Sequence, residues 1–278
     1  MKLVPELFEK PWGRSILPPP FDSVAAYAGH AGAPVGEIWF EPDDGIFLPV
    51  LVKYLFTSEK LSVQVHPDDQ QAHARGLRFG KNECWYIIDA EPGAMLGLGL
   101  KRTLARQELR DAALDGSIAD LLDWRPIQQG EFYKVPAGTI HAMSAGISLI
   151  EFQQNIDVTY RLYDHGRPRE LHLDDAVDVA MAGPYPDDHV LHVNPDGAVE
   201  QPLVHFPQFD VLFSRDLYSA RANRMERAMW VVPLSGEVTG GGSCARPGEV
   251  LYLAPGQAVD RSPIEGTALV GIASTDEL

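Results

Sequence analysis

Three short blocks of this chain carry residue types that together can hold a metal ion. Leu61–Asp69 reads LSVQVHPDD, Lys81–Tyr86 reads KNECWY and Pro136–His141 reads PAGTIH. On a strand, Gln64 and His66 stand two residues apart on one face and form a rigid two-toothed fork. Glu83 opens the second block, and His141 follows the tight turn of the third. Two imidazoles, a carboxylate and an amide oxygen make a mixed nitrogen and oxygen set suited to zinc. A single strand histidine is ordinarily a surface or a satisfied core residue, and a single glutamate a solvated one. The conjunction on strands or strand ends of one β-rich region is what points to a metal. Ser62 shares the strand face of Gln64, and Lys81 shares that of Glu83. Lys53 lies inside the apolar run LVKYLF, where an inward ammonium needs a reason. Either lysine could hold an anionic group.

The elements that must position these groups read mainly as strands. Leu48–Phe56, Leu61–Val65, Cys84–Asp89, Glu131–Val135 and Ser148–Phe152 are short β-branched or aromatic runs bounded by Gly, Pro or Asp. Such spacing suggests a barrel or a sandwich. Thr103–Trp124 has helical periodicity, with Thr103 as N-cap, Gly116 as divider and Ser117 starting a second helix. Leu173–Ala180 predicts one more short helix. Residues 183–201 are rich in Pro, Asp and Gly and read as a linker. Strands resume at Met229–Pro233, Glu249–Leu253 and Ala268–Ile272. A faint internal echo links Gly130–Gly138, GEFYKVPAG, to Gly248–Gly256, GEVLYLAPG. It suggests a repeated barrel unit in which only the first copy kept a histidine.

Composition excludes several classes. The 278 residues are 45% hydrophobic and 22% charged, as in an ordinary globular protein. The net charge of −16 disfavours nucleic acid, so a phosphorylated ligand would need a local cluster of Lys and Arg. Two cysteines, Cys84 and Cys244, are too few for a disulfide scaffold and fit a reducing cytoplasm. They are not spaced for a metal, and Cys84 points away from the face of Glu83. The N-terminal MKLVPELFEKPWGR lacks a signal-peptide core, and no run approaches 18 apolar residues. The ending Thr275-Asp276-Glu277-Leu278 reads as a chance likeness to a retention signal. His73 reads as a helical surface residue, and Trp12 and Trp39 as packing residues.

The blocks also fit a known pattern. Gly130–His141 matches the second cupin motif, a Gly, five residues, Pro, one residue, Gly, two residues and His, although Ala145 replaces its closing Asn. The first cupin motif is altered, with Gln64-Val65-His66 for His-x-His and sixteen residues between His66 and Glu83. With FEKPWGR at Phe8–Arg14 and GEIWF at Gly36–Phe40, five ordered blocks resemble type I phosphomannose isomerases of the short bacterial branch. The resemblance covers residues 8–180.

It implies a mainly β fold of two cupin-type β-barrels (jelly rolls) with a few short helices. Residues 1–182 would form the metal-binding barrel, and 202–278 a degenerate cupin-like one of structural role. The implied activity is a zinc-dependent aldose–ketose isomerisation of mannose 6-phosphate and fructose 6-phosphate through an enediol. The implied zinc ligands are Gln64, His66, Glu83 and His141. Arg161, within DVTYRLYD, would be the active-site arginine, and Lys53, Lys81, Glu151 and Asp157 would line the pocket. Arg161 suits charge stabilisation, because guanidinium does not deprotonate. The base stays open among Glu151, Asp157 and a hydroxide held on the metal. The expected partner is a small sugar phosphate, with no nucleic acid or membrane and an open oligomeric state. An iron-dependent oxygenase of the same fold is disfavoured by Gln64. A sugar-phosphate sensor without activity is disfavoured by the full set of charged pocket residues.

Overall fold

The computed structural model describes residues 1–22, 33–259 and 266–274. The expectation for Thr275–Leu278 falls outside them. Three main sheets stack face to face. The first has seven strands, in the order Val4–Arg14, Val35–Glu41, Val50–Phe56, Ile147–Gln154, Glu83–Ala90, Glu131–Val135 and Val190–His192. The second has five, in the order Tyr160–Tyr163, Val63–Val65, His141–Met143, Met95–Leu100 and Leu122–Pro126. The strand pairings within both are antiparallel, as in a jelly roll.

Two strands of the first sheet, Val50–Phe56 and Ile147–Gln154, are buried along their whole length. Their apolar runs fit this, because both faces are covered. Tyr54 and Phe56 point outward with Ile150 and Phe152, where they meet Phe213, Trp230 and Leu269 of the third sheet. Leu55 and Leu149 point inward and pack with Trp85, Leu96 and Met143 between the first two sheets. Outside the second sheet lie the helices Arg106–Asp115 and Leu173–Val179, which bury Leu109, Ala113 and Ala176 against Val63, Val65 and Leu162.

The third sheet runs Glu200–His205, Phe209–Ser214, Thr267–Ala273, Met229–Ser235 and Leu251–Leu253. With the two-stranded ribbon Val238–Gly240 and Ser243–Ala245 it encloses its own apolar cluster, including Met229, Val238 and Leu253. The N-terminus is tied to it through Leu3 N–H to Val250 O and Tyr252 N–H to Met1 O, both at 2.9 Å. Gly130 and Gly248 both have positive φ ahead of their strands, and Gly138 and Gly256 both have it behind them. The echo in sequence is thus an echo in backbone conformation.

The first and third sheets come close at Gly271, where an added Cβ would lie 2.8 Å from the Phe152 ring. Gly271→Val forces the ring or the sheet to move, and overpacking of this kind costs about 1–3 kcal/mol. A lowered urea midpoint in that variant is expected, and an unchanged midpoint would show that the sheets are not pressed together there.

Two local expectations need correction. The first helix begins after Ala105, not Thr103, because the Glu108 carboxylate reaches back 2.7 Å to the Ala105 N–H. Ser117 does start the second helix, Ile118–Leu121, as its N-cap residue, with its own N–H bound by Asp115 at 2.8 Å. Trp124 lies in a strand, Leu122–Pro126. Gly116 does end the first helix, in the left-handed conformation with φ 83°. Within residues 183–201, Val190–His192 pairs with Glu131–Tyr133 at the edge of the first sheet. No helix among the described residues is long and apolar enough to cross a membrane.

Candidate active site

Two rows of side chains face each other between the first and second sheets. In the first sheet Trp39 is in register with Lys53, Lys53 with Glu151, and Glu151 with Trp85. In the second, Arg161 is in register with Gln64, and Gln64 with His141. Residues opposite one another on neighbouring strands share a face, so each row is a line of groups across its sheet. The rows meet where the Trp85 and His141 rings lie 5.3 Å apart, edge to face. Between them is a cavity of about 290 Å³ lined by Lys53, Ser62, Gln64, Lys81, Glu83 and Glu151, with Asp157 and Arg161 nearer its mouth.

The residues expected to hold a metal come together. Ligand atoms of His66, Glu83 and His141 lie within 4.8 Å of one another, all buried. Glu83 Oε1 is 3.3 Å from His141 Nε2 and 3.6 Å from His66 Nε2. The backbone brings them there by different means. Gln64 is in a strand, His66 just beyond its end, and Glu83 and His141 each begin one. His141 Nδ1 is 2.9 Å from Thr139 O, so it must be the N–H donor. That leaves the Nε2 lone pair aimed inward, as metal ligation requires. Burial pushes both imidazoles down, His141 to about 4 and His66 well below its usual value with help from the Lys81 ammonium. Both rings are therefore neutral near pH 7. The Nε2 lone pairs of His66 and His141, met at 3.4 Å by the Lys81 ammonium and at 3.1 Å by the Gln64 amide nitrogen, converge with a buried Glu83 Oε1 that has no hydrogen-bond partner among the described residues. Such an electron-rich cluster fits a divalent cation. Gln64 presents its amide nitrogen 3.1 Å from His141 Nε2 and accepts from Ser62 Oγ at 3.1 Å through its oxygen. Turning the amide over brings Oε1 to the same point, and the two orientations have the same shape.

The charged groups form one chain around this centre. Lys81 Nζ is 3.1 Å from Glu83 Oε2 and 3.6 Å from Glu151 Oε1. Burial acts to neutralise this ammonium, but the two carboxylates outweigh it and hold its proton more tightly than usual. Glu151 is pushed upward by burial and then by Glu83. Lys53, only 3% exposed, sits 3.7 Å from Glu37 and 4.0 Å from the centroid of the Trp39 ring. Burial lowers its proton affinity, opposed by Glu37 and Glu151. This answers why a lysine interrupts an apolar strand. Burial also lowers the proton affinity of Arg161, with the Arg169 charge acting the same way.

Several lining residues were not anticipated. Trp12 lines the cavity, and Trp39 donates 2.6 Å to Glu37 and carries Lys53 on its face. Reading both as packing residues alone was too narrow. Lys10 lies 3.5 Å from Glu37 and also lines the cavity. Arg169 is aimed by two bonds to Asp164, at 2.6 and 2.7 Å. His172 accepts from the Arg161 N–H at 3.2 Å. The alternation of Glu37 and Trp39 with buried Ile38 and Phe40 was the signal for the first pair. His73 is exposed at a helix end, away from the cluster. Cys84 packs outward beside Phe132 and Phe152.

The chain is 38% identical over 184 residues to mannose-6-phosphate isomerase ManA of Bacillus subtilis, covering 61% of this chain and 58% of that protein. It is 37% identical over 173 residues to the mannose-6-phosphate isomerase of Streptococcus mutans, covering 58% of this chain and 54% of that protein. It spans less than two thirds of the length of the curated isomerases it matches. No family model matches it. Across its whole length it resembles the crystal structure of the Bacillus subtilis mannose 6-phosphate isomerase, with a TM-score of 0.74 and 25% identity over 97% of this chain and 98% of that one. A zinc-bound mannose 6-phosphate isomerase shares the fold at a TM-score of 0.68 and 14% identity, over 98% and 99% of the two chains. The expected mainly β, cupin-type architecture of the isomerases is thus the fold of this chain.

Proposed function

We propose that this chain is a zinc-dependent aldose–ketose isomerase that interconverts mannose 6-phosphate and fructose 6-phosphate through an enediol. The observation that carries this reading is the facing of two charged rows across one cavity, with a metal-ligand cluster at their junction. The names of the relatives support it. Five cations line the cavity, Lys10, Lys53, Lys81, Arg161 and Arg169, against the carboxylates Glu37, Glu83, Glu151 and Asp157. In a chain of net charge −16, that local cluster suits an anionic sugar phosphate and not a nucleic acid.

Gln64, His66, Glu83 and His141 would hold the zinc ion, which supplies Lewis acidity to a sugar oxygen when bound. Removal of the C2 proton leaves an enediol with negative charge developing on oxygen. We assign the proton transfer to Glu151, on position. It is 3% exposed and lies between Lys53 and Trp85, deep in the first row. Asp157 is exposed at the mouth, where water competes. Glu151 would take the proton from C2 and return it at C1, while Lys81 and Lys53 keep the carboxylate oriented. Arg161, opposite, carries a charge that cannot be given up and would stabilise the developing oxyanion. Ser62 Oγ, already bound to Gln64, is placed to meet a substrate hydroxyl. Both cysteines are free, which supports a reducing, cytoplasmic setting.

The test is turnover of mannose 6-phosphate to fructose 6-phosphate by purified protein, before and after chelation and zinc restoration. Activity that disappears with chelator and returns with zinc is expected. Zinc-loaded protein without turnover would overturn the assignment.

A further inference from the structure

Gln208 lies in a turn of the third sheet, yet its side chain bonds Asp69 and Asn82, close in sequence to His66 and Glu83. It sits in the turn between Glu200–His205 and Phe209–Ser214, and the neighbouring Phe206 is buried in the shared core. A Ser274 N–H to Gln208 O bond of 2.8 Å also fixes the turn. From there the Gln208 amide works in both directions. Its nitrogen donates to Asp69 Oδ2, and its oxygen accepts from Asn82 Nδ2 at 3.1 Å.

Asp69 and Asn82 are in turn the knots of the loops that carry three candidate ligands. Asn82 precedes Glu83, and its Oδ1 accepts from Ala137 N–H at 2.9 Å, in the turn leading to His141. Asp69 Oδ1 accepts from Gly80 N–H at 2.7 Å and from Gln154 Nε2 at 2.8 Å. Gln154 Oε1 accepts from Asn82 N–H at 2.9 Å and closes the ring. The His66 segment is held to the other two by Lys81 N–H to Pro67 O, 2.9 Å, and Gly138 N–H to His66 O, 2.8 Å. At Gly80 the loops approach so closely that an added Cβ would lie 2.3 Å from the Asp68 carbonyl carbon. The ligand-bearing segments thus share one polar knot, and among the described residues Gln208 bonds to it from the third sheet.

We propose that Gln208 is a positioning residue through which the third sheet sets the affinity of the metal centre. This rests on the zinc reading above. The physical basis is that groups bonded to the ligands fix their orientation, and losing one typically weakens metal binding about 10–100-fold; Gln208 acts one step further back, through the segments that carry the ligands, which sets its effect at the low end of that range. A carboxylate at position 208 keeps the acceptor for Asn82 but loses the donor to Asp69 and sets two anions together. An amide at position 69 alongside it restores every bond with the polarity of that pair reversed. Its Oδ1 still accepts from Gly80 and Gln154, and its nitrogen donates to the new carboxylate.

The experiment is zinc affinity by competition with a chromogenic chelator, for the unaltered chain, Gln208→Glu, and Gln208→Glu combined with Asp69→Asn. Thermal unfolding of each metal-free protein monitors the fold separately. About tenfold weaker binding in the single variant is expected, with most of that affinity regained in the double variant. Gln208→Leu, which adds no charge, is the second single variant and should also weaken binding without lowering the metal-free unfolding temperature in proportion. Unchanged affinity in both single variants, with zinc bound tightly by the unaltered chain, overturns this inference and leaves the zinc reading intact. An unaltered chain that binds no zinc overturns both.

Discussion

His141→Ala is expected to lose zinc and turnover together. His141 is 1% exposed, and its ring nitrogen is one of three ligand atoms crowded onto one point. Its Nδ1–H bond to Thr139 O locks the ring so that no rotation is needed to bind. Because changes behind a ligand already cost about 10–100-fold in metal affinity, loss of the ligand itself should exceed about 100-fold. The truncated side chain also leaves a gap against Trp85, so some loss of stability is expected as well. Measurement of bound zinc and of mannose 6-phosphate turnover on the same preparation separates the effects. A folded variant that keeps stoichiometric zinc and full activity would remove His141 from the site.

That residue was legible in sequence because its block is local. Gly138 turns the chain with φ 84°, and His141 follows at a fixed offset. Gln64, His66 and Glu83 were legible for the same reason, since strand alternation over two or three residues already fixes their facing. The rows were not. Lys53, Glu151 and Trp85 come from three separated strands, and only the register of pairing makes them neighbours. Register is set by the whole sheet, not by any of the three segments. Glu37 illustrates the same limit from the other side. An acidic residue in a half-buried strand reads as solvated, until Lys10 and Lys53 arrive from strands on either side. The helix start at Ala105 failed differently. Capping rules look for a side-chain acceptor at the N-cap, whereas Glu108 supplies the bond from inside the helix. Gln208 is the extreme case, because nothing in Phe206-Pro207-Gln208 signals a partner 139 residues away.

Arg161→Ala should separate chemistry from metal binding. Arg161 stands next to Gln64 in its row, but its side chain lines the cavity and is not part of the ligand cluster. Zinc should therefore remain bound and the fold intact. What is lost is a fixed positive charge opposite Glu151, where the enediol's oxygen becomes negative. Removal of one such preorganised donor typically costs about 100–1000-fold in kcat. Arg161 keeps a buried Nε with no hydrogen-bond partner among the described residues. Its peptide N–H is bound by His172, and Arg169, clamped on Asp164, crowds it on the charged side. Arg161→Lys retains a charge but not the planar fork of donors, so it should recover only part of the lost turnover. If instead the alanine variant kept its kcat and only KM rose, Arg161 would be gripping the substrate equally in the ground and transition states. Stabilisation of the enediol would then have to come from elsewhere in the first row, with Lys81 and Lys53 the remaining cations near Glu151.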